Sequence, residues 1–169
     1  MSTEYTVILP MRTFLGYERI GSRYLAGESL PSHCTVMRWF RLAPNCKERM
    51  LRSEMEAWAE SVEGPYIELM SERREFFGPE EDRPVHVVAE NQLLRQLHAT
   101  IFAWLTNHAA IFNDPAYVDN GYRPHVSDYG SWSFGVGMRH RFERLDLVKR
   151  DRHGYKTVVM GEGLGEIPF

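Results

Sequence analysis

The sequence predicts an α+β fold, and three observations carry that expectation. About seven short stretches concentrate or alternate strand-forming residues, two longer ones repeat apolar residues on a helical face, and Gly, Pro and Asn punctuate the joints. The 169 residues, 43% hydrophobic and 12% aromatic, suffice for one domain with a sizeable core.

The first strand is expected over Glu4 to Met11, where Tyr5, Val7 and Leu9 alternate and Pro10 sets the limit. Thr13 to Pro31 carries Gly16, Gly21 and Gly27 with Tyr17, Ile20, Tyr24 and Leu25 at roughly helical spacing, which reads as a short helix inside a loop. Ser32 to Leu42 has no internal Gly or Pro and predicts a long second strand. Asn45 followed by Glu48 resembles a capping box for a helix with Leu51, Met55, Trp58 and Val62 on one face, ended by Gly64-Pro65. The alternating stretch from Tyr66 and the segment Arg83 to Glu90 then predict a hairpin around Phe77-Gly78-Pro79.

Asn91 caps a second expected helix, in which Leu94, Leu97, Ile101 and Trp104 or Leu105 recur as far as about Asn107. After the turn-rich Asn113 to Gly121, Tyr122 to Tyr129 is extended and Gly130 to Gly137 is a loop. Phe142 to Lys149 and Tyr155 to Met160 form a last hairpin. Trp39, Trp58 and Trp104 are assigned to the core.

A net charge of −3 lacks the basic excess expected of a protein that grips duplex DNA, so a nucleic-acid partner should be small or locally bound. No apolar run approaches the ~18 residues of a membrane span, and Met1-Ser2-Thr3-Glu4 has no signal-like character. The expectation is a cytoplasmic chain without a membrane partner. Cys34 and Cys46 fit neither a disulfide scaffold nor a zinc site and are expected as thiols.

An approximate repeat marks the chemistry. Pro31-Ser32-His33-Cys34-Thr35 opens a strand in the first half, and Pro124-His125-Val126-Ser127 opens one in the second. Strand alternation puts His33 and Thr35 on one face, and likewise His125 and Ser127. If the halves pack with a rough two-fold relation, two imidazoles and two hydroxyls converge on one cleft. That set suits a phosphodiester: one imidazole takes a proton from the attacking oxygen, the other gives one to the leaving oxygen, and the hydroxyls hold the non-bridging oxygens. Such chemistry needs no metal, and which ring is acid and which base stays open.

Seven His and 17 Ser plus Thr predict roughly 0.7 chance matches to His-x-[Ser/Thr], against three present. His98-Ala99-Thr100 is taken as the chance match, since a helix turns those two side chains apart. His86, His98, His108, His140 and His153 are read as surface or partly buried rings.

On His33-Cys34-Thr35-Val36, His125-Val126-Ser127-Asp128, their 92-residue separation and the segment Phe76-Phe77-Gly78-Pro79, the chain resembles the 2H phosphoesterases, the 2′-5′ RNA ligase-like superfamily. The resemblance implies a single bilobal domain over 1–169: two pseudo-symmetric lobes, each an antiparallel sheet with a helix packed outside, flanking a central groove. It implies no cofactor and metal-independent phosphodiester chemistry on a small nucleotide or a short single-stranded RNA end. The linkage is a 2′,3′-cyclic phosphate, a 2′-5′ bond or a cyclic oligonucleotide, including the immune signals that some viral relatives destroy.

Tyr5, Tyr24, Phe76, Tyr129 and Trp132 are then candidates for base stacking. Arg83, Arg123 and the cluster Arg139, Arg141 and Arg144 are candidates for phosphate contact, although seven Lys or Arg against three acids between Met138 and Lys156 also suit a solvated hairpin. Asp128 departs from the apolar residue of the family pattern and should face away from the cleft. Two other classes stay open: a non-catalytic binder of nucleotides or RNA ends, and a metal-dependent hydrolase using His33, His125 and Asp128, disfavoured by that aspartate's strand face.

Overall fold

β-branched Thr6, Val7 and Ile8 suit a strand interior, and the computed structural model, which describes residues 2–11, 23–24, 30, 32–127 and 134–165, places β1 (Glu4–Pro10) in the middle of the sheet. The other strands are β2 (Arg23–Tyr24), β3 (His33–Arg41), β4 (Ile67–Phe77), β5 (Arg83–Val88), β6 (Ile111–Phe112), β7 (His125–Ser127), β8 (Arg139–Phe142), β9 (Arg144–Arg150) and β10 (Lys156–Gly163). They form one curled antiparallel sheet in the order β2-β10-β9-β1-β3-β7-β5-β4-β8, with β6 paired to β3. Helices α1 (Glu48–Glu60) and α2 (Gln92–Asn107) complete the α+β fold.

The two halves expected from the sequence are joined within this one sheet: β3 of the first half pairs with β7 of the second through Cys34 and Val126. Both helices pack on the same face, where Leu51, Met55 and Trp58 of α1 and Leu94, Leu97, Ile101 and Leu105 of α2 meet Val7, Leu9, Cys34, Val36 and Phe40 in one apolar core. The opposite face carries a smaller cluster of Ile8, Leu30, Val148 and Val158, with Trp39 packed against it.

Asn91 caps α2 as expected, accepting from the Leu94 N–H at 2.9 Å. α1 differs: its cap residue is Lys47, without a side-chain bond, because the chain still turns through Pro44 to Cys46, where the Cys46 N–H donates to the Ala43 carbonyl. The β4–β5 hairpin forms with a β4 longer than its alternating segment, and Gly78 supplies a φ of 100° at the turn. Short β2, β6 and β8 carry too little pattern to be foreseen. The helix expected within Thr13 to Pro31 lies outside the described residues, apart from β2 and Leu30.

β3 does not alternate throughout. Its register with β1 slips twice, between the pairs Ile8/Thr35, Val7/Met37 and Tyr5/Phe40. The burial sequence of β3 follows those bulges: Val36 and Met37 are both buried in the helix-side core, while Arg38 and Trp39 are both partly exposed. The bulges thus turn Arg38 and Trp39 to the face that already bears His33 and Thr35.

Candidate active site

Cys34 and Val126 are 0% and 2% exposed on the helix side of the seam. Counting one residue either way along the antiparallel pair puts His33 opposite Ser127 and Thr35 opposite His125, all four partly buried on the other face. Directly opposed Cα atoms in such a ladder lie about 4.5–5.5 Å apart, and diagonal pairs about 7–8 Å. The histidines occupy one diagonal of this square and the hydroxyls the other. The rows continue across the sheet as Arg73-Val87-His125-Thr35-Ile8-Asp146 and Glu75-Val85-Ser127-His33-Pro10.

His125 is oriented by its own strand. Its Nδ1 lies 2.8 Å from the Arg123 carbonyl, so Nδ1 carries the proton that donates to that oxygen, and Nε2 keeps its lone pair. Burial, then the charges of Arg38 and Arg123, hold the ring's pKa below its usual value, with the carbonyl bond opposing. A neutral imidazole with a bare Nε2 is the form of a general base.

Phe77 meets the His125 ring edge-on, with centroids 4.7 Å apart, and the Arg123 guanidinium lies 4.6 Å from the centre of the Phe77 ring. Arg123 also donates to Glu75 at 2.8 Å, and Glu75 accepts from Arg73 at 2.6 Å. The hydrogen bonds from Arg73 and then Arg123 hold the Glu75 carboxyl below the usual range. Among the described residues, no group of three or more His, Cys, Asp or Glu is placed to hold a metal ion.

The aromatic and basic candidates fare unevenly. Tyr5 belongs to the core: it is 5% exposed, its hydroxyl donates to Glu48 at 2.8 Å, and its ring stacks on Phe40 at 6.0 Å. The odd-numbered alternation that makes Tyr5 look like a strand residue turns it to the helix side. Phe76 is 56% exposed but points away from His125, since Glu75 and Phe77 take the site face. Phe77 is the residue missed there, and a register count from Arg83 would have found it. Tyr24 pairs in β2 opposite Lys156, while Tyr129, Trp132 and Asp128 lie outside the described residues.

Arg83 opens β5 opposite Phe77, on the site face by alternation. Arg123 is at the site, although Glu75 and Phe77 already engage its guanidinium. Arg139 and Arg141 are held by Glu68 along the outer β4–β8 ladder, and Arg144 by Asp146 at 2.8 Å. Arg38, which the bulges deliver to the site face, pairs with Asp114 at 2.9 Å and lies 4.8 Å from the Tyr117 ring centre. Strand alternation alone could not place it.

Two histidines differ from the expectation of surface or partly buried rings. His86 is 4% exposed and shares a 3.2 Å hydrogen bond with Ser71. His98 is 3% exposed, because its turn of α2 faces the sheet and offers polar partners. Its Nδ1 is 2.7 Å from the Val36 carbonyl and its Nε2 accepts from the Asp119 N–H at 3.0 Å. Burial lowers its pKa, and the two bonds require the neutral Nδ1–H form.

No protein-family model and no curated protein matches the sequence. Solved structures do match the fold. A crystallised phosphoesterase superposes over 98% of this chain and 100% of its own, with a TM-score of 0.58 at 12% identity. E. coli LigT complexed with NADP+ covers 98% and 99% at 0.57 and 11%, and TT0787 of Thermus thermophilus covers 99% and 100% at 0.51 and 14%. The chain shares the overall fold of these structures. Its curled α+β sheet is like that of E. coli LigT.

Proposed function

We propose that this protein is a phosphodiesterase acting on RNA ends or small nucleotides, with His33 and His125 as its acid–base pair. One observation carries the reading: the pairing of Cys34 with Val126, which sets two imidazoles and two hydroxyls around one patch of the sheet. The likeness to LigT, solved in complexes with NADP+ and with 3′-AMP, supports a nucleotide as the ligand.

With a 2′,3′-cyclic phosphate as substrate, each proton transfer has its own imidazole. Nε2 of His125 takes a proton from the attacking water as its oxygen bonds to phosphorus. The bond from phosphorus to one ribose oxygen breaks, and the imidazolium of His33 gives that oxygen its proton. Thr35 and Ser127 donate hydrogen bonds to the non-bridging oxygens, which gain charge in the transition state. Neutral His125 and protonated His33 are restored by one net proton transfer through solvent. A 2′-5′ bond or a cyclic oligonucleotide fits the same steps with a different leaving oxygen.

The test is turnover of 2′,3′-cyclic nucleotides, 2′-5′ oligoadenylate and cyclic dinucleotides in the presence of a chelator. Turnover that survives the chelator and falls by about 10²–10⁴ in His33→Ala and in His125→Ala supports the reading. Retained turnover in either variant refutes the assignment. Binding without product would leave a nucleotide-binding protein, and full loss of activity with chelator would favour metal chemistry.

A further inference from the structure

Directly behind the square, three successive carbonyls of β3 are bonded by side chains from three other segments. The Tyr122 hydroxyl donates to Thr35 O at 2.9 Å, the His98 Nδ1–H to Val36 O at 2.7 Å, and the Thr6 hydroxyl to Met37 O at 2.7 Å. The reason lies in the sequence of the neighbours. β7 is only three residues long and is preceded by Pro124, so its ladder with β3 stops after one pair, while towards β1 the register slips on both sides of the Val7–Met37 pair. Buried carbonyls in such a gap need other donors.

Two of the three donors form one unit. The rings of His98 and Tyr122 stack at 3.8 Å with 2° between their planes. Arg95 of α2 lies 5.7 Å from the Tyr122 ring centre and donates to the Tyr122 carbonyl at 3.0 Å. Tyr122 stands three residues before His125, and Thr35 two residues after His33. A single side chain therefore ties the backbone leading into one motif to the backbone of the other.

Resting on the phosphodiesterase reading above, we propose that Tyr122 and His98 are positioning residues that fix the His33/Thr35 strand relative to the His125/Ser127 strand. Neither touches the phosphate. They set the separation of the two imidazoles where, among the described residues, one β3–β7 ladder pair does so otherwise, and displacements of about 1 Å at such a site cost up to about a hundredfold in rate. The His98-x-Thr100 match in α2 thus serves the other two matches from behind.

The experiment combines kinetics with NMR titration of the His33 and His125 ring protons in Tyr122→Phe, His98→Leu and His98→Gln. Glutamine keeps one donor for Val36 O and one acceptor for the Asp119 N–H, whereas leucine keeps neither. For Tyr122→Phe and His98→Leu the expected result is kcat reduced between about tenfold and a hundredfold, KM within about twofold, and shifted ring titrations. His98→Gln should recover most of the loss.

Unchanged kcat and unchanged titrations in folded Tyr122→Phe overturn the inference, as does a His98→Gln no better than His98→Leu. If the wild-type protein turns over none of the substrates, the functional reading fails. The ring titrations then decide the positioning role alone, by whether the Tyr122 hydroxyl moves both imidazoles.

Discussion

Cys34 and Val126 face each other across the only ladder pair that joins β3 to β7 among the described residues, and the four chemical side chains are their immediate neighbours turned the other way. The buried pair and the square of two histidines and two hydroxyls are two faces of one register. A slip by one residue would bury both imidazoles and expose a thiol.

The hydroxyls are expected to act on the transition state. A hydrogen bond to a charged group contributes about 1.5–3 kcal/mol, so Thr35→Val and Ser127→Ala should each lower kcat/KM between about tenfold and a hundredfold. Thr35→Ser keeps the donor and should stay near wild type. Steady-state kinetics on one substrate checks this, and a Thr35→Val as active as Thr35→Ser would contradict it.

The electrostatics of His125 predict the acidic limb of the kcat/KM profile, which should fall below the ordinary histidine value of about 6.5. Arg123→Gln removes a positive charge but keeps the backbone carbonyl that orients the ring, so the limb should rise. Glu75→Gln leaves Arg73 and Arg123 less neutralised, so it should fall further. Profiles that coincide in all three proteins would remove the assigned cause.

Stability should also depend on pH through His98. Burial lowers its folded-state pKa beneath the unfolded value, so just below about pH 6.5 the unfolded chain binds more protons than the folded one. Stability then rises with pH through that window and is lost on acidification, as a proton on Nε2 opposes the Asp119 N–H. Denaturant midpoints from about pH 8 to about pH 5 should fall less steeply in His98→Gln than in wild type. Equal slopes would count against the neutral ring.

Gly121 allows the approach to Tyr122. A Cβ at that position would lie 1.8 Å from the oxygen and 2.8 Å from the carbon of the Ala116 backbone carbonyl. Gly121→Ala should cost at least about 2 kcal/mol in urea unfolding. An unchanged midpoint would mean that this turn is free to open.

Much of this was legible because local signals and tertiary context agree. The Asn91 cap, the repeat of Leu94, Leu97, Ile101 and Leu105, and the alternation of His33, Cys34 and Thr35 each depend on neighbours a few residues away. Tyr5 and Phe76 were misplaced because alternation fixes which residues share a face and leaves open which face meets the helices. Arg38 was missed because its orientation depends on bulges, defined only by the partner strand. His98 looked idle because its partners, Val36 and Asp119, are 62 and 21 residues away.

The central claim is spatial, and a crystal soaked with a nucleoside 3′-phosphate or 2′-phosphate addresses it most directly. One phosphate should lie within about 3.2 Å, nitrogen or oxygen to oxygen, of both the His33 and His125 rings, with the Thr35 and Ser127 hydroxyls on its remaining oxygens. A nucleotide whose phosphate binds elsewhere, or reaches one ring while the other faces away, would contradict the account.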